Sequence, residues 1–221
     1  MSQPGAVVFD FDGVLADTER LHLLAFQEAF RARGWTLADA AYFDRYLGFD
    51  DRDLVRAFTI DARVALKPGD EDAIVAAKAR AYDAHVGRGS VLFPGAAPAV
   101  TRLAVRFKLG IASGSLRSEI VHILGPAALV PAFQAIVGAD DVSRSKPAPD
   151  VYLTALDRLD VPAARAVAIE DSRWGLAAAR AAGLRTIAVT TSYPAATLAS
   201  ADRVVTSLDE ITVELIGQLI N

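Results

Sequence analysis

Two aspartates separated by one residue, Asp10 and Asp12, close the short apolar run Val7, Val8, Phe9 and are followed at once by Gly13. Farther along, Ser113 ends RFKLGIAS, Lys146 sits in SRSKPAPD, and Glu170 and Asp171 end RAVAIED. Acids of this kind suit a hard cation such as Mg²⁺, which keeps waters and takes one or two carboxylates plus substrate phosphate. Asp10, Asp12, Glu170 and Asp171 are the candidate ligands. Lys146 supplies a compact fixed charge for a carboxylate or a phosphoryl oxygen. Ser113 and the backbone N–H groups after Asp10 can donate to the remaining phosphoryl oxygens, so that the set clamps a transferring phosphoryl group. Asp10 is then free to act as nucleophile through an aspartyl-phosphate. Asp12 can protonate the leaving oxygen and later deprotonate the attacking water.

Such chemistry needs an architecture that gathers positions scattered from 10 to 171. From about residue 91, β-rich runs alternate with helical stretches. RFKLGIAS (106–113), QAIVGA (134–139), RAVAIE (165–170) and RTIAVT (185–190) read as strands; LRSEIVHILG, APDVYLTALDRL and SRWGLAAARAAG read as helices; DRVVTS and LDEITVELIGQLI close the pattern. Near-continuous apolar strands alternating with helices predict an α/β fold with a doubly wound parallel sheet covered on both faces. Ligands bind such sheets at the C-terminal strand ends, where Asp10, Asp12, Ser113, Glu170 and Asp171 fall. Lys146 lies in a loop, because the prolines that follow bar helix before residue 149. Residues 19–90 differ. ERLHLLAFQEAFRARG spaces Leu21, Leu24, Phe26, Ala29 and Phe30 as one helix face ending at Gly34. Further helices are predicted around 38–47, 51–59 and 70–86, with no convincing strand. The expected organisation is a catalytic core of residues 1–18 plus 91–221 and an all-helical insert at 19–90.

The 221 residues, 52% of them hydrophobic and 23% charged, exclude a disordered chain. The absence of cysteine excludes disulfides and thiolate metal sites. With neither a leader-like N-terminus nor a run of 18 apolar residues, a soluble, cytoplasmic protein without a membrane partner is expected. The net charge of −4 argues against a nucleic-acid partner. Residues 1–18 hold three Asp and no basic residue, against 12 acids and 11 bases in 19–90 and 12 of each in 91–221. The imbalance therefore sits in the opening motif, and uncompensated carboxylates call for a cation.

DFDGVLADT, Ser113 in ASGS, Lys146 in SKPAPD and EDS at 170–172 are similar, in matching order, to the four motifs of the haloacid dehalogenase superfamily. The resemblance runs over essentially the whole chain. It implies a Rossmann-like core with a helical cap inserted after the first motif. It also implies Mg²⁺ bound through the Asp10 carboxylate, the Asp12 main-chain carbonyl and Asp171, with Glu170 assisting. The dehalogenases and the phosphonate-cleaving members lack an acid at Asp12, so its presence implies phosphate-ester chemistry. His22 and Lys78 resemble the histidine and lysine with which β-phosphoglucomutases and related phosphatases face substrate. Gly48 and Arg52 fall in LGFDDRD, which resembles the cap's specificity loop, and Gly114 and Ser115 of the second motif complete the expected substrate contacts. The mutases place an arginine where this chain has Asp51, and a basic and an amide residue where it has Leu116 and Arg117. The expected activity is a Mg²⁺-dependent phosphatase of a small phosphorylated metabolite, foremost a sugar phosphate. A β-phosphoglucomutase-like isomerase is the alternative, and a receiver-type phospho-accepting module a third. A monomer is expected, with the cap as its lid. Trp174 is expected to pack at the domain surface, and GLAAARAAG to pack on the sheet without chemical role.

Overall fold

A computed structural model describes residues 5–47, 49–87 and 91–220. The chain divides into two compact units, Met1–Asp17 with Leu92–Asn221, and Thr18–Val91.

The first unit is built on a six-stranded parallel sheet in the order β3-β2-β1-β4-β5-β6. The strands are β1 (Ala6–Phe9), β2 (Lys108–Ala112), β3 (Ala135–Val137), β4 (Ala166–Glu170), β5 (Arg185–Val189) and β6 (Arg203–Val205). All four residues of β1 are buried, because helices cover both faces of a parallel sheet. The helices are α5 (Ala96–Ala104), α6 (Arg117–Leu124), α7 (Asp150–Leu159), α8 (Arg173–Ala181) and α9 (Val213–Ile220), after four that belong to the other unit. Helix α7 turns Tyr152, Ala155, Leu156 and Leu159 into a core shared with Val8, Ala112, Val137, Ala168 and the small residues Ala178 and Ala179 of α8. Strands are shorter than the apolar runs predict, at three to five residues each. Strand order reverses at β1, which pairs with β2 on one side and β4 on the other. A crevice opens at that switch point in sheets of this kind.

The helical unit contains α1 (Glu19–Arg31), α2 (Asp39–Ala41), α3 (Asp51–Asp61) and α4 (Asp70–Val86). Its core is aromatic: Phe30 stacks on Phe58 with centroids 4.3 Å apart, and Trp35 lies 6.0 Å from Phe58. Asp50 caps α3 by accepting from the Asp53 N–H at 2.9 Å. The helix expected over 38–47 is only partly α. From Tyr42 to Tyr46 the turns widen, with Leu47 N–H donating to the Tyr42 carbonyl at 2.9 Å, and both tyrosines are buried. Gly48 lies outside the described residues. Among the described residues no helix is long and apolar enough to cross a membrane.

Candidate active site

The carboxyl end of β1 delivers the first motif. Asp10 N–H continues the ladder to the Ile169 carbonyl at 2.8 Å, and its Oδ1 accepts from Phe11 N–H at 2.7 Å. The chain then folds back on itself, with Leu15 and Ala16 N–H both donating to the Phe11 carbonyl. Gly13 is required here twice over. Its φ of +76° is left-handed, and a Cβ would stand 1.9 Å from Asp171 Oδ2.

Two hydroxyls from the loop after β2 converge on Asp12. Ser113 Oγ donates to Asp12 Oδ2 at 3.0 Å and Ser115 Oγ to the same oxygen at 2.7 Å. Ser115 N–H in turn donates to Ser113 Oγ at 2.9 Å. Ser115, expected on substrate, is thus held on Asp12. A Cβ on Gly114 would meet nothing within 4 Å, so the loop is open at that residue.

Lys146 bridges two acids, with Nζ 2.9 Å from Asp10 Oδ1 and 2.7 Å from Glu170 Oε1. Tyr152 of α7 donates its hydroxyl to the same Glu170 oxygen at 2.6 Å, and its ring centre lies 5.2 Å from the ammonium. Glu170 Oε2 accepts from Ser172 Oγ at 3.2 Å, and Ser172 also caps α8 by accepting from Gly175 N–H at 3.0 Å. Gly175 makes the cradle possible, since a Cβ there would lie 1.8–2.0 Å from the Glu170 carboxylate. The sequence reading that gave GLAAARAAG packing alone is therefore corrected: its glycine is the wall against which Glu170 rests. Ser192 hydrogen-bonds Asp171 Oδ2, and Thr191 donates to the Gly13 carbonyl, tying the exit of β5 to the first motif.

Asp10, Glu170 and Asp171 each offer a carboxylate oxygen within 4.8 Å of the others, and all three residues are buried. Burial pushes the Asp10 carboxyl well above the ordinary range; the neighbouring Glu170, Asp171 and Asp12 push the same way, and Lys146 only partly opposes them. Lys146 is held more firmly protonated than usual: burial works against its charge, but Asp10 and Glu170 outweigh it. Burial and Glu170 also raise the Tyr152 phenol. With Lys146 able to balance only one of three buried negative charges, the cluster is chemically suited to a small divalent cation.

In the helical unit, His22 stacks on Tyr82 with centroids 4.3 Å apart. Lys78 is fully buried, with Nζ 5.4 Å from the Phe26 ring, 5.0 Å from Tyr82 and 2.8 Å from Asp51 Oδ1. The structure thus groups His22 and Lys78 around one tyrosine. Arg52 is elsewhere, paired at the surface with Glu71 at 2.8 Å and Asp72 at 2.7 Å.

Sequence reasoning missed Tyr152, Gly175, Thr191 and Ser192. A tyrosine on the buried face of α7 reads as core, and only its place two residues past SKPAPD, in the first turn of the helix, offered a hint.

Residues 7–189 match the family model of the haloacid dehalogenase-like hydrolases. The chain belongs to that family. Protein CbbY of Rhodobacter capsulatus is 38% identical over 201 residues, covering 85% of this chain and 86% of the relative. A beta-phosphoglucomutase of Bacillus subtilis is 30% identical over 218 residues, covering 96% of this chain and 94% of the relative. Among solved structures, a CbbY mutant from Rhodobacter sphaeroides in complex with xylulose-(1,5)bisphosphate superposes with a TM-score of 0.84 at 31% identity, over 94% of this chain and 96% of that one.

Proposed function

We propose that the protein is a Mg²⁺-dependent phosphatase of a sugar phosphate or similar small phosphorylated metabolite. The observation that carries this reading is the pairing of two differently treated aspartates on one strand end. Asp10 shares Lys146 with Glu170, whereas Asp12 is held by two hydroxyls. Asp10 attacks phosphorus and forms the aspartyl-phosphate as the ester oxygen leaves with the proton of Asp12. Asp12, now ionised, takes a proton from water as that water attacks the same phosphorus and frees Asp10. Lys146 holds a phosphoryl oxygen through both steps, and the Ser113 hydroxyl joins it on turning from Asp12 to the phosphoryl group. Asp10, the Asp12 main-chain carbonyl and Asp171, with Glu170 assisting, would hold Mg²⁺, which when bound would neutralise charge at the phosphoryl oxygens. Asp10 must be ionised to attack, and burial among acids opposes ionisation, so nucleophile and cation belong together.

We take the helical unit as the cap that selects the organic group, with His22 and Lys78 as its substrate-facing residues. The relatives named above support a phosphorylated sugar. A mutase is the second reading, favoured by His22 and Lys78. Against it, Asp51 neutralises Lys78, and Arg52 would have to leave Glu71 and Asp72 to hold a second phosphate. The deciding experiment follows free phosphate and glucose 6-phosphate together, from β-glucose 1-phosphate with Mg²⁺ and catalytic glucose 1,6-bisphosphate, beside a panel of sugar mono- and bisphosphates. Free phosphate, lost in Asp10→Asn, supports the phosphatase. Glucose 6-phosphate without free phosphate establishes the mutase, and no release from any panel member sinks the first reading.

A further inference from the structure

Most donors around the site have a part in the chemistry above. The Tyr152 hydroxyl is an exception. It is fully buried and donates at 2.6 Å to the Glu170 oxygen that also receives Lys146 at 2.7 Å. Its ring stands beside the same ammonium. The other side of Glu170 is closed by Ser172 and by the space that Gly175 leaves. Tyr152 itself cannot drift, because α7 is packed through Val151, Ala155, Leu156 and Leu159 into the core under the sheet.

We propose that Tyr152 is a positioning residue for the reaction, fixing Glu170 and, through it, Lys146 beside Asp10; this rests on the phosphatase reading above. The hydroxyl answers part of the demand of Glu170 for hydrogen-bond donors. Without it, Glu170 competes harder for Lys146, which it shares with Asp10. The ammonium would then be drawn from the nucleophile, and the carboxylate beside the metal site would lose its fixed orientation. Partners one step behind metal ligands commonly govern affinity and activity by about 10–100-fold.

The test is Mg²⁺ titration by calorimetry of the full chain as wild type, Tyr152→Phe, Glu170→Gln and the double variant, with melting curves and steady-state kinetics alongside. Tyr152→Phe keeps the ring and its packing. The expected result is Mg²⁺ binding about 10-fold weaker or more, kcat lowered more than KM is raised, and activity partly restored by excess Mg²⁺. In the Glu170→Gln background the tyrosine substitution should change Mg²⁺ affinity less than about 2-fold, because the interaction is already gone. A Mg²⁺ Kd for Tyr152→Phe within twofold of wild type, or fully independent effects of the two substitutions, would overturn the proposal. So would loss of the fold in Tyr152→Phe, which would make the hydroxyl a stability element. A wild-type protein that binds Mg²⁺ and shows the coupling, yet releases no phosphate, would sink the functional reading and leave the role of Tyr152 standing.

Discussion

Replacing Gly175 by alanine sets two effects of opposite sign against each other. Gly175 lies in the first turn of α8, where alanine is the better helix former by about 1 kcal/mol. Judged on propensity alone, the variant should be more stable. The added Cβ, however, would stand 1.8 Å from Glu170 Oε1 and 2.0 Å from Oε2. That is roughly 1.5 Å inside ordinary van der Waals contact, too far to be absorbed by small shifts. If the carboxylate swings away, it leaves the Tyr152 hydroxyl and the Lys146 ammonium, two charge-assisted hydrogen bonds worth about 1.5–3 kcal/mol each. If the helix start moves instead, the Ser172 cap on Gly175 N–H goes, at about 1 kcal/mol, and the small-residue packing of α8 goes with it. The first route costs on the order of 3 kcal/mol net, and the melting midpoint should fall by roughly 6–12 °C. Mg²⁺ titration separates the routes, since only the swing of Glu170 weakens metal binding. A Gly175→Ala protein that melts at or above the wild-type temperature, with Mg²⁺ affinity intact, would refute the reasoning.

Other expectations follow from the same geometry. Lys146→Met keeps the stem but leaves buried Asp10 and Glu170 without their shared cation; it should cost about 3–5 kcal/mol in denaturant titrations and abolish phosphate release. Asp12→Asn retains an acceptor for Ser113 and Ser115 and the main-chain carbonyl, so kcat should fall roughly 100- to 10,000-fold with Mg²⁺ affinity unchanged; a parallel loss of Mg²⁺ binding would show that the side chain does more than move protons. Asp202 is held below the ordinary carboxylate range: its partial burial opposes ionisation, but the Thr186 N–H and hydroxyl and the Arg185 guanidinium outweigh it. Its stabilisation is therefore present above the unfolded pKa and lost as pH falls through the folded one. Asp202→Asn should lower the unfolding midpoint at neutral pH, with the gap closing in acid; an equal gap at both pH values would contradict this.

The placement of the polar strand-end residues was legible because a parallel sheet leaves them no other place. An acid or a serine at the end of an apolar run has to emerge at the rim, as Asp10, Asp12, Ser113, Glu170 and Asp171 do, whereas Lys146 was read from a proline-bound loop. What holds them still was illegible, because those residues are ordinary for where they sit. Tyr152 satisfies the helical period of α7 and looks like packing, and Gly175 belongs to a stretch of alanines on a sheet-facing helix. Ser115 is one of two serines flanking a glycine, and nothing local says that it serves Asp12. Thr191 after β5 gave no sign of a tie to a loop 178 positions away, nor Ser192 of one to Asp171. The wide turns at Tyr42–Tyr46 were hidden too, since period counting assumes one helix geometry throughout.

The strand that ends at Asp10 is also the one with the most distant partners. Ala6 pairs with Lys108 on one side and with Ala166 on the other. On a ribosome moving at about 5–20 residues per second, the AVVF segment waits roughly 10–30 seconds before its second neighbour exists. During that interval it is an apolar strand with at least one edge unpaired, and closing such long loops makes its docking late. Asp10 is thus among the first residues to be synthesised, yet its strand is flanked on both sides only after β4 has been made.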